Sequence, residues 1–117
     1  MKLMMLVPLF ALSSVLSADV GGVWKLEMDW SGSAAKATGV CTLKQDETKL
    51  TGSCEPAKSV VSGEVKDRKL TIRIDVEQDG QKGVMTFDGT VDEAGSLIRG
   101  TCKIVGGQDG TFTMRKQ

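Results

Sequence analysis

The side chains in this sequence that could do chemistry are carboxylates and thiols. Glu27 with Asp29, Asp75 with Glu77, and Asp88 with Asp92 are acid pairs of the kind that divide general-acid and general-base roles when one member is desolvated. There is no histidine and no tyrosine. Their absence takes away the commonest general base, the imidazole metal ligand and the Ser/His type of triad together. Both members of each pair sit an even number of positions apart in strand-like stretches and so point to the same face. That face is the polar one, where both carboxylates stay ionised and hydrated. Asp79, Asp92, Glu93 and Asp109 could offer oxygen to calcium, but they lack the dense spacing of a dedicated loop. The glycines are spread one per strand instead of lying between a strand and a helix, so they form no phosphate cradle. The expectation is a protein that is not an enzyme and holds no cofactor and no metal.

Three cysteines, Cys41, Cys54 and Cys102, leave one thiol over if two are joined. Cys41 and Cys54 fall on consecutive strands and the same face. They lie opposite each other if the hairpin turns at Glu47 and Thr48, which suits a cross-strand disulfide. Two buried, unpaired thiols are the alternative, since spacing does not fix connectivity. Cys102 reads as a packed small hydrophobe with nothing basic beside it to activate it.

The elements that carry these residues are set by one repeated pattern: glycine, any residue, then an apolar residue. Its copies are Gly22-Val23-Trp24, Gly39-Val40-Cys41, Gly52-Ser53-Cys54, Gly63-Glu64-Val65, Gly89-Thr90-Val91, Gly100-Thr101-Cys102 and Gly110-Thr111-Phe112. Residues i and i+2 of a strand share a face, so each glycine lies on the apolar side with its partner. Glycine inside strands is tolerated where a sheet bends sharply or backbones approach closely, and so many of them predict a small sheet coiled shut. Alternation marks eight strands. The first places Trp24, Leu26, Met28 and Trp30 against Val23, Lys25, Glu27 and Asp29, and the fifth places Leu70, Ile72, Ile74 and Val76 against Thr71, Arg73, Asp75 and Glu77. The others are Gly39 to Gln45, Lys49 to Glu55, Ser59 to Lys66, Lys82 to Asp92, Ser96 to Val105 and Gly110 to Lys116. Short turns such as Asp46-Glu47-Thr48, Lys66-Asp67-Arg68 and Asp79-Gly80 join them, which favours antiparallel neighbours. The predicted fold is all-β, an antiparallel up-and-down eight-stranded barrel, with a two-sheet sandwich as the alternative. Helix is poorly supported; Ala34-Ala35-Lys36 could form a turn.

The start of the chain reads as an export leader. Met1-Lys2 is positive, Leu3 to Leu12 is apolar and Ser13 to Ala18 is rich in small residues, with cleavage expected after Ser17 or Ala18. The organisation expected is a signal peptide over residues 1-18 and one domain over 19-117, in a secreted or periplasmic protein. No stretch approaches the roughly 20 apolar residues of a membrane-spanning helix. The charged face is the one that a membrane barrel would turn to lipid, so a membrane barrel is not expected either. Loss of Lys2 with the leader takes 15 basic residues to 14 against 15 acidic ones, a net charge of −1. Such a balance gives no field to attract nucleic acid.

Gly22-Val23-Trp24, opening the first strand of an eight-stranded barrel, resembles the Gly-x-Trp start of the calycins, the group of lipocalins, fatty-acid-binding proteins and avidins. The resemblance implies that Trp24 closes the barrel floor and that a basic residue of the last strand, Arg115 or Lys116, packs across it. Strand parity places Arg115 outside. The residues that bind biotin in avidins have no recognisable set of counterparts. A fainter similarity is to the periplasmic inhibitors of bacterial metalloproteases, whose Gly-x-Trp-x-Leu is matched by Gly22, Trp24 and Leu26 and whose bridged cysteines compare with Cys41 and Cys54. Their inhibitory N-terminal trunk is longer than the Ala18-Asp19-Val20-Gly21 that precedes Gly22 here.

In an up-and-down barrel the connections alternate between two ends. Ser31 to Thr38, Glu55 to Lys58, Gln78 to Lys82 and Gly106 to Asp109 gather the longer or looser ones at one mouth, where a binding site is expected. The leading expectation is a small apolar or amphipathic ligand held there by Met28, Trp30, Ile74, Val76, Met85, Phe87, Ile104 and Phe112, with Trp24, Cys41 and Cys54 structural. A compact eight-stranded interior holds either its own side chains or one small ligand. If it is filled, the alternative is a protein-interaction module, such as a periplasmic enzyme inhibitor, that meets its partner through loops.

Overall fold

The structure, a computed structural model, describes residues 18–55 and 58–117. The proposed leader lies outside the described residues except for Ala18. Eight strands follow in order: β1 Gly22–Trp30, β2 Ala37–Asp46, β3 Lys49–Glu55, β4 Lys58–Lys66, β5 Lys69–Gln78, β6 Gln81–Val91, β7 Leu97–Ile104 and β8 Asp109–Lys116. Every neighbour in sequence is an antiparallel neighbour in space, and β8 pairs with β1 from Trp24↔Lys116 to Trp30↔Gly110, closing the barrel. Full closure removes the sheet edges that a sandwich would have to protect. No helix occurs among the described residues; Ala34 and Ala35 form only a bend.

Alternation follows from burial. Trp24, Leu26 and Met28 of β1, Leu70, Ile72 and Ile74 of β5, and Phe112 and Met114 of β8 are buried, while Lys25, Arg73, Asp75 and Arg115 on the opposite parity are exposed. No polar side chain is buried among the described residues. In each glycine triplet the middle residue is exposed and the third is buried, apart from the half-buried Cys54.

Cross-strand register shows why the glycines are there. Leu43 faces Gly52, Leu50 faces Gly63, Leu70 faces Gly89 and Phe112 faces Gly100, so a bulky inward residue meets a bare backbone across the ladder. At Gly89 an added Cβ would come within 2.8 Å of the Phe112 ring, and at Gly100 it would run into the Asp88 carbonyl. That space lets Phe112 meet Phe87 edge to face, with ring centroids 5.0 Å apart.

Two features of the ends were less visible in the alternation. Gln78 to Lys82, expected as a looser connection, is a tight turn in which only Asp79 and Gly80 lie between β5 and β6, both with positive φ (53° and 79°). The β3–β4 ladder stops at Gly52↔Val61. Beyond it the Ser59 hydroxyl accepts from the Cys54 N–H (3.0 Å) and donates to the Cys54 carbonyl (2.7 Å).

Gly100→Val should cost about 3 kcal/mol or more, because the new side chain can relax neither into the β6 backbone nor away from Phe112. Chemical denaturation would show this as a lowered midpoint. The same change at Gly107, in an exposed turn with only Ile104 nearby, should cost far less.

Candidate functional site

The loop-rich end is the end where Trp30, Val76, Met85 and Ile104 stop being buried. These four are half-buried, whereas Met28, Ile74, Phe87 and Phe112 are fully buried. The eight residues expected to line a ligand chamber therefore fall into two sets. Ile74, Met85 and Ile104 form one inward row across β5, β6 and β7, and Val76 faces Gly83 above it. Met28 faces Phe112 across the β1–β8 closure, and Trp30 lies against Gly110, whose missing side chain leaves 3.0 Å between a Cβ position and the indole.

Below this row the middle of the barrel is closely packed. The interior void bounded by Leu26, Cys41, Leu43, Cys54, Val61, Ile72, Ile74, Phe87 and Met114 is about 10 Å³. One water needs at least ~10–15 Å³ and a drug-sized ligand ~300 Å³ or more. The wall of this void is apolar throughout, so it offers no hydrogen bond to a guest.

At the opposite end the floor is closed more elaborately than a lone tryptophan would require. Val20 is fully buried, its carbonyl accepts from the Trp24 indole N–H (2.9 Å), and its own N–H donates to Gln45 Oε1 (2.7 Å). Gln45 Nε2 donates in turn to the carbonyls of Ala18 (2.9 Å) and Glu47 (2.8 Å). Lys116, not Arg115, lies over the Trp24 ring, 5.6 Å from its centroid. Residues 18–21 are thus folded back against the barrel floor. Gln45 carried the signal for this floor, as a polar residue at an inward position of β2 after Cys41 and Leu43.

Cys41 and Cys54 are joined by a disulfide and are direct register partners on β2 and β3. Cys102 is a buried free thiol with its pKa pushed up to about 11, first by desolvation and then by the nearby Asp109 charge. The acid pairs point outward as expected. Asp75 accepts from Arg73 Nε at 3.0 Å, an exposed pair of small energetic weight. Asp92 accepts from the backbone N–H groups of Ser96 and Leu97 and its pKa is lowered, chiefly through Ser96. Among the described residues no group of acidic and thiol side chains is arranged to hold a metal ion.

What parity alone did not reveal is a groove over the rim, lined both by outward residues and by the inward-parity Ser59, Val76 and Gly83. It has a volume of about 520 Å³ and runs across β4, β5 and β6 at the loop-rich end, lined by Ser59, Val60, Arg73, Asp75, Val76, Glu77, Lys82, Gly83 and Val84. Val60 and Val84 both pair with Asp75 from either side, and the Val105 N–H donates to the Val84 carbonyl (2.9 Å). Val60 and Val84 thus flank Asp75, with the half-buried Val84 beside Val105 just past β7; Val60 is 64% and Val105 61% exposed. The sequence signal was valine at the outward positions Val60 and Val84 on either side of an acidic strand position.

No family model matches this chain, and no curated protein matches it either. The closed eight-stranded antiparallel barrel is consistent with the calycin-like architecture that Gly22-Val23-Trp24 suggested.

In folded protein at pH 8, Cys102 should resist alkylation, because its thiol is buried and almost wholly protonated. Mass spectrometry after iodoacetamide would show modification only on unfolding. Reduction of Cys41–Cys54, whose cysteines are 13 residues apart, should lower stability by about 3 kcal/mol in denaturant titration.

Proposed function

We propose that this chain is an exported, non-enzymatic interaction module, in which the barrel is a filled scaffold and the rim groove across β4, β5 and β6 is the contact surface. The observation that carries this reading is the contrast between a mid-barrel void of about 10 Å³ and a rim groove of about 520 Å³. Apolar floor and mixed charge coexist in the groove. Val60, Val76 and Val84 offer surface to aliphatic side chains, while Arg73 and Lys82 on one hand and Asp75 and Glu77 on the other offer both signs at its margins. An amphipathic protein segment carrying an aliphatic side chain flanked by charges matches that chemistry. Val60, at 64% exposed, is the most exposed large aliphatic side chain among the described residues and lies in this groove.

The small-ligand reading keeps one supporting observation, the half-burial of Trp30, Val76 and Met85 around the mouth. It requires these side chains to move apart, since the core beneath them leaves no room. Inhibition of a protease by an N-terminal trunk finds no support, because Val20 is packed into the floor and Ala18 is hydrogen-bonded there.

The direct test compares wild-type protein with Val60→Glu/Val84→Glu in a crosslinking pull-down from the native envelope fraction. Both positions are outward, so the double variant should melt like wild type yet lose its stoichiometric partner. Retention of the partner by the double variant, with loss in Trp30→Ala or Met85→Ala, would place the contact at the mouth and overturn the groove assignment.

A further inference from the structure

The floor end holds a second cleft, of about 630 Å³, lined by Ala18, Asp19, Asp67, Arg68, Asp92, Glu93, Ala94, Gly95 and Lys116. Four carboxylates face two basic groups in it, and the backbone N–H of Ala18 points into it, donating to the Asp67 carbonyl at 2.8 Å. Rows of hydrogen bonds fix everything from this nitrogen onward. Ala18 accepts from Gln45, Val20 donates to Gln45, and Val20 accepts from Trp24.

We infer that the leader is removed by hydrolysis of the Ser17–Ala18 bond, and that the α-ammonium so created on Ala18 docks in this acidic cleft as part of the barrel floor. The step is a hydrolysis: water adds across the Ser17–Ala18 amide, a carboxylate is left on Ser17, and the amine of Ala18 takes up a proton. Its catalyst is a leader endopeptidase of the exporting membrane, which the small residue Ser17 at the position before the cut suits. The inference rests on reading residues 1-18 as an export leader.

Two observations favour a folded domain that begins at Ala18 over one that begins at Asp19. Cutting one residue later would delete both hydrogen bonds of Ala18, the donation to Asp67 and the acceptance from Gln45 Nε2, and would remove a side chain that packs against the core. It would also set the new charge on Asp19, whose carboxylate already accepts from the Gly21 N–H at 3.0 Å on the exposed side. The charge balance of the cleft favours an ammonium there: Arg68 is drawn toward Glu93 (3.8 Å) and Lys116 lies over Trp24, and an added α-ammonium leaves the cleft's four carboxylates still in excess of its cations.

The experiment is to express the full chain with its own leader in an exporting bacterial host and to measure the intact mass of the envelope or secreted protein. A chain beginning at Ala18 is expected. A chain beginning at Asp19 overturns the assigned bond, and a leader-bearing chain overturns the export reading beneath it. A second arm melts three purified chains: one starting at Ala18, the same chain acetylated on its α-amine, and one starting at Asp19. The Ala18 chain should melt highest, by about 5 °C, and its lead over the acetylated chain should shrink in 1 M salt, where exposed charges are screened. Equal melting of the free and acetylated chains would overturn the ammonium's docking.

Discussion

The structure depends on inward glycines standing opposite inward bulk. A barrel of eight strands with a ring of large side chains at every level would be overfilled, and one lined by small residues would be hollow. Here Leu43 over Gly52, Leu70 over Gly89 and Phe112 over Gly100 alternate the two around the ring. The strands can therefore approach, β8 can reach β1, and no backbone edge is left along the ring. At these positions the large side chain fills the space that the glycine opposite leaves open.

The two ends have different tasks. At the floor, Val20, Gln45, Trp24 and Lys116 form a continuous set of contacts that ties the segment before β1 to the barrel. Turn carbonyls are also used there, Thr48 by Val65 and Arg68 by Val91. At the other end the β3–β4 ladder ends early, Ser59 substitutes for the missing ladder bond at Cys54, and the disulfide holds β3 to β2.

Strand number, order and face assignment were legible in the sequence because each rests on a period-two signal repeated in every strand; the Cys41–Cys54 bond was one of two readings, and register across β2 and β3 supplies it. The floor was half legible: Trp24 could be placed from Gly-x-Trp, but its partners Val20 and Gln45 come together only when a segment before the first strand folds across the barrel end. The filled interior could not be read from composition, since identical inward residues bound either a cavity or a core according to how deeply Phe87, Phe112 and Met114 interdigitate. The rim groove was not legible because valines at polar-parity positions look like ordinary strand residues. Only register brings Val60 and Val84 to either side of Asp75.

The claim on which the rest stands is that the barrel is full. Methyl-resolved NMR of the isoleucine, leucine, valine and methionine side chains, followed during titration with fatty acids and retinoids, measures this directly. Saturating shifts absent from Leu43, Ile72, Ile74 and Met114 are the result the packed interior predicts. Saturable shifts at those four methyl groups would show a guest within the barrel and contradict the account.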